Sequence, residues 1–185
     1  DANALATLNC LNELKILDTS AAVAIIDVGW EFTNVVIYGN DGLPFVRDLN
    51  NAGRHIIDKI SKELQLPQEQ VHRVLAGEKS EGDMHKKILL ALNNAVRPLA
   101  MAINETLRFY SFQEKSSGVE RIYLCGGFAL LDTFIEFFSD ALPVEVKLLN
   151  PFEKMNLRTN DADTELINTY GPGLVVAAGL AMRTI

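Results

Sequence analysis

A long apolar run, Ala21–Val28, dominates the first third of the sequence and ends in Asp27-Val28-Gly29. A strand without polar alternation has to be covered on both faces, which α/β proteins achieve with helices on either side of a sheet. A later segment, Arg121–Cys125, also lacks polar alternation. We therefore expect the strand that ends at Asp27 to be central, with Cys125 buried beside it. Exposure of any of three side chains would contradict this layout: Val23, Ile25 or Leu124.

The remaining periodicities place helices and further strands around this run. Apolar residues at helical spacing predict helices over residues 1–17, from Gly53, from Pro67, over Met84–Phe112, over Leu130–Ala141 and over Gly173–Arg183. Strand-forming residues predict strands over Phe32–Gly39, Pro44–Leu49 and Val144–Leu148. A tight hairpin is predicted at Asn40-Asp41-Gly42, and residues 77–83 are predicted to form a loop. Pro98 interrupts the longest helical run, so we expect a kink or two abutting helices there.

The order of these elements is helix, three strands, helices, strand, helix, strand, helix. A hairpin-joined trio followed by two strands reached through helices predicts an α/β fold with a mixed five-stranded sheet flanked by helices. This layout is ribonuclease-H-like and is shared by nucleases, sugar kinases and actin-like ATPases. It predicts a fold and leaves the function open.

The composition excludes several classes of function. The chain has 17 basic and 24 acidic residues, a formal net charge of −7 and no basic run, which excludes generic binding to a nucleic-acid backbone. Its apolar runs fall far short of the roughly 18 residues that a membrane span needs. Cys10 and Cys125 are too few for a disulfide scaffold and fit no zinc spacing, and a buried thiol in a reducing compartment is the better interpretation of Cys125. The three scattered histidines lack the helical spacing of metal ligands.

The turn after the first strand is the first candidate site, Asp27-Val28-Gly29-Trp30-Glu31-Phe32-Thr33. A carboxylate at a strand end can orient a magnesium-bound water, and the following glycine exposes backbone N–H groups that can hold phosphate oxygens. The alternative is a β-turn whose aspartate merely bonds to the backbone. The residues alone leave both interpretations open.

Two further segments are rich in glycine. In Cys125-Gly126-Gly127-Phe128-Ala129-Leu130-Leu131, paired glycines permit close approach of a ligand to a helix N-terminus, and a tight turn that needs φ > 0 is the equal alternative. In Gly171–Ala181, small residues would allow a helix to lie close against the sheet, and such packing is favoured over ligand binding. The turns after the first and fourth strands face one cleft in this fold. A two-metal nuclease would need a second carboxylate near the fourth strand, where the chain has Gly126, so nuclease chemistry is disfavoured.

Six segments together resemble one family: Ala24–Gly29, Phe45–Leu49 with Gly53, Glu105–Phe112, Arg121–Leu131, Asn150-Pro151-Phe152 and Val176–Arg183. They resemble the PilM family of type IV pilus assembly proteins, which are actin-like ATPases related to FtsA. The resemblance covers essentially all 185 residues and corresponds to the C-terminal half of such a protein. The Glu-Thr-Leu-Arg-Phe-Tyr stretch and the Asn-Pro-Phe turn favour the pilus branch of this superfamily.

The resemblance implies a cytoplasmic protein that binds ATP with Mg²⁺ between two lobes. It also implies that such a protein docks the cytoplasmic tail of a bitopic inner-membrane pilus assembly protein, lies peripheral to that membrane through this partner, and can self-associate. No catalytic residue is implied in this chain, and at most weak ATPase activity in the full-length protein. The residues implied to contact nucleotide are Asp27 (which also serves the metal), Gly29, Thr33, Gly126, Gly127 and Phe128, with Glu69 and Arg73 near adenine and ribose.

The same resemblance implies the domain layout. Residues 1–185 would form a C-terminal lobe with a helical subdomain around 66–97, and the N-terminal lobe would lie outside this chain, which begins without Met. Two departures from the family pattern disfavour tight phosphate binding. The turn has bulky Trp30, and the helix after the third strand begins with Asn51-Ala52-Gly53 where paired glycines are usual.

Two alternative functions stay open. One is a degenerate actin-like cytoplasmic domain of a type II secretion L-protein without nucleotide, and the other is a sugar-kinase-type phosphotransferase lobe.

Overall fold

The computed structural model describes residues 2–17, 21–39, 42–79, 82–113, 118–155 and 161–183. Its helices and strands are α1 (Ala2–Glu13), β1 (Ala22–Val28), β2 (Thr33–Tyr38), β3 (Pro44–Leu49), α2 (Gly53–Leu64), α3 (Gln68–Leu75), α4 (Met84–Ser111), β4 (Val119–Cys125), α5 (Asp132–Asp140), β5 (Glu145–Leu148), α6 (Asp161–Tyr170) and α7 (Val175–Ala181). Three 3₁₀ segments lie at Gly127–Leu130, Pro151–Lys154 and Gly171–Leu174. Of the helices described, none combines the length and apolar content that a bilayer crossing requires.

The five strands form one mixed sheet in the order β3-β2-β1-β4-β5. β1 pairs antiparallel with β2 and parallel with β4, and the edge pairs are β2–β3 antiparallel and β4–β5 parallel. The predicted α/β fold with a mixed five-stranded sheet is therefore confirmed. In the predicted hairpin, Asn40 and Asp41 lie outside the described residues, while Gly42 has the positive φ (72°) that such a turn needs.

β1 is buried on both faces because helices cover each side of the sheet. Ala24 and Ile26 point into the larger core, which is built with α2, α3, α4 and α5. Val23 and Ile25 point into a smaller core with α1 and α7. Val23, Ile25, Leu124 and Cys125 are all at most 5% exposed, so the predicted central position of β1 is confirmed. The segment predicted as a helical subdomain shares the larger core through apolar residues of α3 and the first half of α4.

α6 is the element that periodicity did not predict. Its apolar side chains are few, and Leu166 is 56% exposed, so no apolar stripe marks the helix. α6 is held instead by contacts with the 3₁₀ segments on either side of it. A helix that is held by neighbouring segments and not by an apolar stripe cannot be predicted from hydrophobic periodicity.

α4 runs as one continuous helix of 28 residues through Pro98, so the alternative of two abutting helices is wrong. Proline has no N–H, and the carbonyl of Asn94 therefore loses its usual donor four residues later. The Nζ of Lys59 on α2 donates to this carbonyl at 2.9 Å. The lysine thus satisfies a backbone acceptor that the proline leaves free, which helps the helix to continue.

We predict that Lys59→Met lowers the free energy of unfolding by roughly 0.5–1 kcal/mol, because the Asn94 carbonyl loses its donor. In a Pro98→Ala background the alanine N–H replaces that donor, so Lys59→Met should cost almost nothing there. Urea denaturation of the four proteins in this double-mutant cycle measures the coupling. Lys87→Met, at an exposed lysine of α4 for which the described residues offer no side-chain partner, should change stability by less than about 0.5 kcal/mol. Equal effects of Lys59→Met in both backgrounds would contradict the assignment.

Candidate functional site

The first candidate turn is fastened to the start of α2 by backbone hydrogen bonds. The N–H of Gly29 donates to the carbonyl of Phe32 at 3.1 Å and closes the turn between β1 and β2. The N–H groups of Gly53 and Arg54 donate to the carbonyls of Gly29 and Trp30 at 3.0 and 2.9 Å. A Cβ at position 53 would collide with the Phe128 ring and lie 3.1 Å from the Gly29 carbonyl oxygen. Glycine at this position therefore permits the close approach of α2 to the turn.

The second candidate turn leaves β4 directly beside the end of β1. Gly126 has φ +98°, and a Cβ there would collide with the Asp27 carboxylate and the main chain of Val28. Its N–H donates to the carbonyl of Pro172 at 2.9 Å. Both the backbone angle and the close approach require glycine at this position. Gly127 differs, because its φ is not positive and a Cβ there would meet no atom within 4 Å.

The structure thus brings the three glycine segments together. Asp27 pairs with Cys125 across the parallel β1–β4 ladder, so the first two turns lie side by side at one edge of the sheet. The third segment joins the second through the bond from Gly126 to Pro172. Farther along the third segment, the close approach is to α1 and not, as predicted, to the sheet. A Cβ at Gly179 would collide with the Ala6 carbonyl of α1, and the Asn9 amide donates to the Gly179 carbonyl at 2.7 Å.

Asp27 carries a half-buried carboxylate at the centre of this arrangement. Among the described residues, none donates a hydrogen bond to it or forms an ion pair with it. Burial raises its pKa above the ordinary value because desolvation disfavours the charged form.

The two cysteines are further titratable groups that are buried in the structure. Burial, followed by the charges of Asp27 and Cys10, raises the pKa of the Cys125 thiol, which neighbours Asp27. Both cysteines are free and fully buried, which is the environment of unreactive thiols.

Two side chains implied to contact nucleotide are buried in the structure. The Thr33 side chain is fully buried, and its hydroxyl donates to the Asn51 carbonyl at 2.7 Å. Phe128 is 4% exposed, and its ring stands edge-on to Phe134 with centroids 4.9 Å apart. Neither side chain is therefore available at the surface of the turns. The Thr33 hydroxyl is bonded to a carbonyl and the Phe128 ring lies in the core, so both support the turns from the interior.

Glu69 and Arg73 lie on the exposed side of α3. Their helix packs on α2 and α4, and Arg73 lies 4.0 Å from Glu78. Neither side chain bonds to the described residues of the two turns. Their implied contact with adenine and ribose therefore stays a prediction.

Sequence reasoning missed two polar features of the site. Arg54 of α2 pairs with Glu31 of the first turn at 3.1 Å, and no local pattern links residues 23 positions apart. Asn150 accepts the Phe152 N–H at 3.0 Å and donates to the Asn168 carbonyl at 3.1 Å, so it ties the end of β5 to α6. Asparagine directly before proline was the available signal for the second feature, since this order is typical of a capped turn.

The N–H groups of Gly29 and Gly126 are bonded to the carbonyls of Phe32 and Pro172, so the open features of the two turns are the Asp27 carboxylate and the backbone at Gly127. Over the described ranges no group of three or more metal-ligating side chains occurs, so Asp27 is a lone carboxylate rather than part of a protein-built metal cage. A lone, unpaired carboxylate fits a hydrated divalent cation that also binds phosphate, because Mg²⁺ usually keeps several waters and one or two protein oxygens. The open backbone at Gly127 leaves space for such a ligand.

Comparison with known proteins gives one family and many similar structures. Residues 2–185 match the family described as Type IV pilus assembly protein PilM. The chain is 25% identical to a solved PilM-PilN type IV pilus biogenesis complex, with a TM-score of 0.78, over 97% of this chain and 50% of that one.

Two further structures share the fold. MreB5 of Spiroplasma citri bound to ADP is 17% identical with a TM-score of 0.64, over 98% of this chain and 58% of that one. The archaeal actin homolog Ta0583 is 19% identical with a TM-score of 0.58, over 98% of this chain and 54% of that one. The chain therefore spans about half the length of the solved structures that it matches. The fold is that of the actin-like ATPases, and the chain belongs to the PilM family of type IV pilus assembly proteins.

Proposed function

We propose that this chain is one lobe of a two-lobed pilus assembly protein and forms one wall of a cleft that binds ATP with Mg²⁺. The observation that carries this proposal is the juxtaposition of the Asp27 carboxylate, which has no partner among the described residues, with the Gly126-Gly127 turn, whose backbone is open at Gly127. The other wall would come from an N-terminal lobe outside this chain. On this proposal the chain alone does not hydrolyse ATP.

Each part of the site would have its own role. Asp27 would hold a magnesium-bound water, and the turn at Gly29 would face phosphate oxygens, although the Gly29 N–H itself already donates to the Phe32 carbonyl. The turn at Gly126 and Gly127 would lie against the nucleoside, and the absence of a side chain at Gly127 gives room for a sugar or base. When bound, the cation neutralises phosphate charge. Thr33 and Phe128 would act indirectly, by setting the shape of the two turns.

We also propose that the two-lobed protein docks the cytoplasmic tail of a bitopic inner-membrane pilus protein and lies at that membrane through this partner. Support comes from the similar protein solved as a PilM-PilN complex, and from membership of the pilus assembly family. This family membership favours pilus assembly over the sugar-kinase and type II secretion alternatives. Docking of the tail would not require ATP to be hydrolysed.

A nucleotide-free scaffold is the second candidate, and two observations favour it. The Thr33 hydroxyl is already bonded to Asn51, and Trp30 stands 46% exposed on the turn where small residues would leave more room. Such a protein would keep the fold and the tail-docking role and bind no ATP. Measuring nucleotide and tail binding separately decides between the two candidates.

Gly127→Val in the full-length protein should weaken MgATP binding at least tenfold while leaving stability nearly unchanged. The valine side chain would stand in open space on the face proposed for the nucleoside, at a residue without positive φ. Gly126→Ala is the contrasting variant, because strain at φ +98° and collision with Asp27 and Val28 should cost more than about 1–2 kcal/mol of folding stability. Calorimetric titration and urea denaturation measure the two effects. Unchanged MgATP binding by a folded Gly127→Val protein would rule out the cleft assignment and support the nucleotide-free scaffold.

Asp27→Asn should raise the free energy of unfolding at pH 7 by roughly 0.5–2 kcal/mol, because it removes a half-buried charge that has no partner among the described residues. Since burial raises the pKa of Asp27 in the folded state, this advantage should be full above the raised pKa. It should disappear as the pH falls below the ordinary pKa of aspartate, where the wild-type carboxyl is protonated in both the folded and the unfolded state. Urea denaturation at several pH values tests this. Glu136→Gln, at an exposed carboxylate of α5, is the matched control and should show no such gain.

The same Asp27→Asn protein should lose magnesium-dependent nucleotide binding more than binding measured in EDTA. Loss of both to the same extent would indicate that Asp27 shapes the turn rather than serving a cation.

A further inference from the structure

An exposed ion pair links the first candidate turn to the start of α2. Nη1 of Arg54 donates to both carboxylate oxygens of Glu31, each at 3.1 Å. Glu31 belongs to the turn, and Arg54 belongs to the first turn of α2. Both side chains are about half exposed, at 50% and 53%, so neither is locked in place by packing.

The backbone of Arg54 is fixed while its side chain is free to change partner. Its N–H is bonded to the Trp30 carbonyl at 2.9 Å, which holds the residue against the turn. Exposed ion pairs are weak because water competes for both partners. The guanidinium can therefore leave Glu31 for a stronger anion without any rearrangement of the main chain.

Arg54 is the cationic residue that the structure holds against the first turn, through the bond from its N–H to the Trp30 carbonyl. Residues 27–33, 126–131 and 171–174 contain no arginine or lysine, while the first of these ranges contributes two carboxylates, Asp27 and Glu31. A polyphosphate would meet net negative charge here unless a cation accompanied it. Guanidinium groups match phosphate oxygens with parallel donors, and a phosphate carries more charge than the glutamate it would displace.

Resting on the nucleotide function proposed above, we propose that Arg54 is the phosphate-binding cation of this lobe and that Glu31 holds it until phosphate displaces the carboxylate. The ligand class is the polyphosphate of a nucleoside di- or triphosphate. Glu31 is then a competitor for Arg54. Its removal should strengthen phosphate binding, whereas removal of Arg54 should weaken it.

The test is calorimetric titration of the full-length protein with MgATP, MgADP and adenosine. Arg54→Gln should weaken MgATP and MgADP binding about tenfold or more and change adenosine binding by less than about twofold, because adenosine has no phosphate. Glu31→Gln should strengthen MgATP binding by about three- to tenfold. The double variant should bind MgATP about as weakly as Arg54→Gln, because Glu31 affects phosphate binding by competing for Arg54.

Arg121→Gln and Glu145→Gln are matched controls, because this exposed pair at 3.2 Å lies on β4 and β5 and contacts neither turn. Both should leave MgATP affinity within about twofold of the parent. The tightening expected for Glu31→Gln also guards against misfolding, because a damaged fold does not bind its ligand more strongly.

The outcomes separate this inference from the function on which it rests. If the parent binds MgATP and Glu31→Gln does not bind it more tightly, the competition is overturned. Equal weakening of MgATP and adenosine by Arg54→Gln would overturn the phosphate contact and make Arg54 a structural residue. If neither the parent nor Glu31→Gln binds MgATP while the pilus tail peptide still binds, the nucleotide function fails, and this inference fails with it.

Discussion

The ends of β1 and β4 approach so closely at Gly126 that no side chain fits between them. The parallel register pairs Asp27 with Cys125, and the next residue along β4 therefore passes directly over Asp27 and Val28. A positive φ at Gly126 then turns the chain into the 3₁₀ segment and directs its N–H to the Pro172 carbonyl. This one contact places three distant segments of the chain side by side, and the candidate site exists because of it.

The burial of β1 on both faces is what makes this contact rigid. Ile25 and Ile26 are fully buried on opposite sides, and each belongs to a different core. A strand held in this way cannot shift its register without exposing one face, so the position of the carboxylate at its end is set by packing. α2 adds a second constraint, because its first two N–H groups bond to the turn that follows β1. The backbone of both turns is thus tied to its surroundings by hydrogen bonds, whereas the exposed side chains of Trp30, Glu31 and Arg54 are not fixed by burial.

Those parts of the fold that depend on apolar patterning could be predicted from the sequence, and those that depend on single polar contacts could not. The apolar runs around Ile25 and Leu124 predicted the central pair of strands, whereas α6 has no apolar stripe to reveal it. Paired glycines predicted the second turn without distinguishing Gly126, which needs its backbone angle, from Gly127, which does not. Similarity to a family suggested Thr33 as a ligand residue, but its burial depends on a bond to a carbonyl 18 residues away.

The candidate face, formed by the turns after β1 and β4, offers little positive charge to an anionic ligand. With Thr33 and Phe128 turned inward, the face offers mainly backbone groups and the unpaired carboxylate of Asp27, in a chain whose net charge is −7. Backbone N–H groups can orient phosphate oxygens, but they carry only partial charge and cannot neutralise a polyphosphate. On the function proposed above, the missing positive charge would come from a bound cation, from another lobe, or from Arg54 once it leaves Glu31. On the nucleotide function proposed above, this lobe by itself would supply too little positive charge to hold a polyphosphate, and the ligand would have to be shared with a second surface.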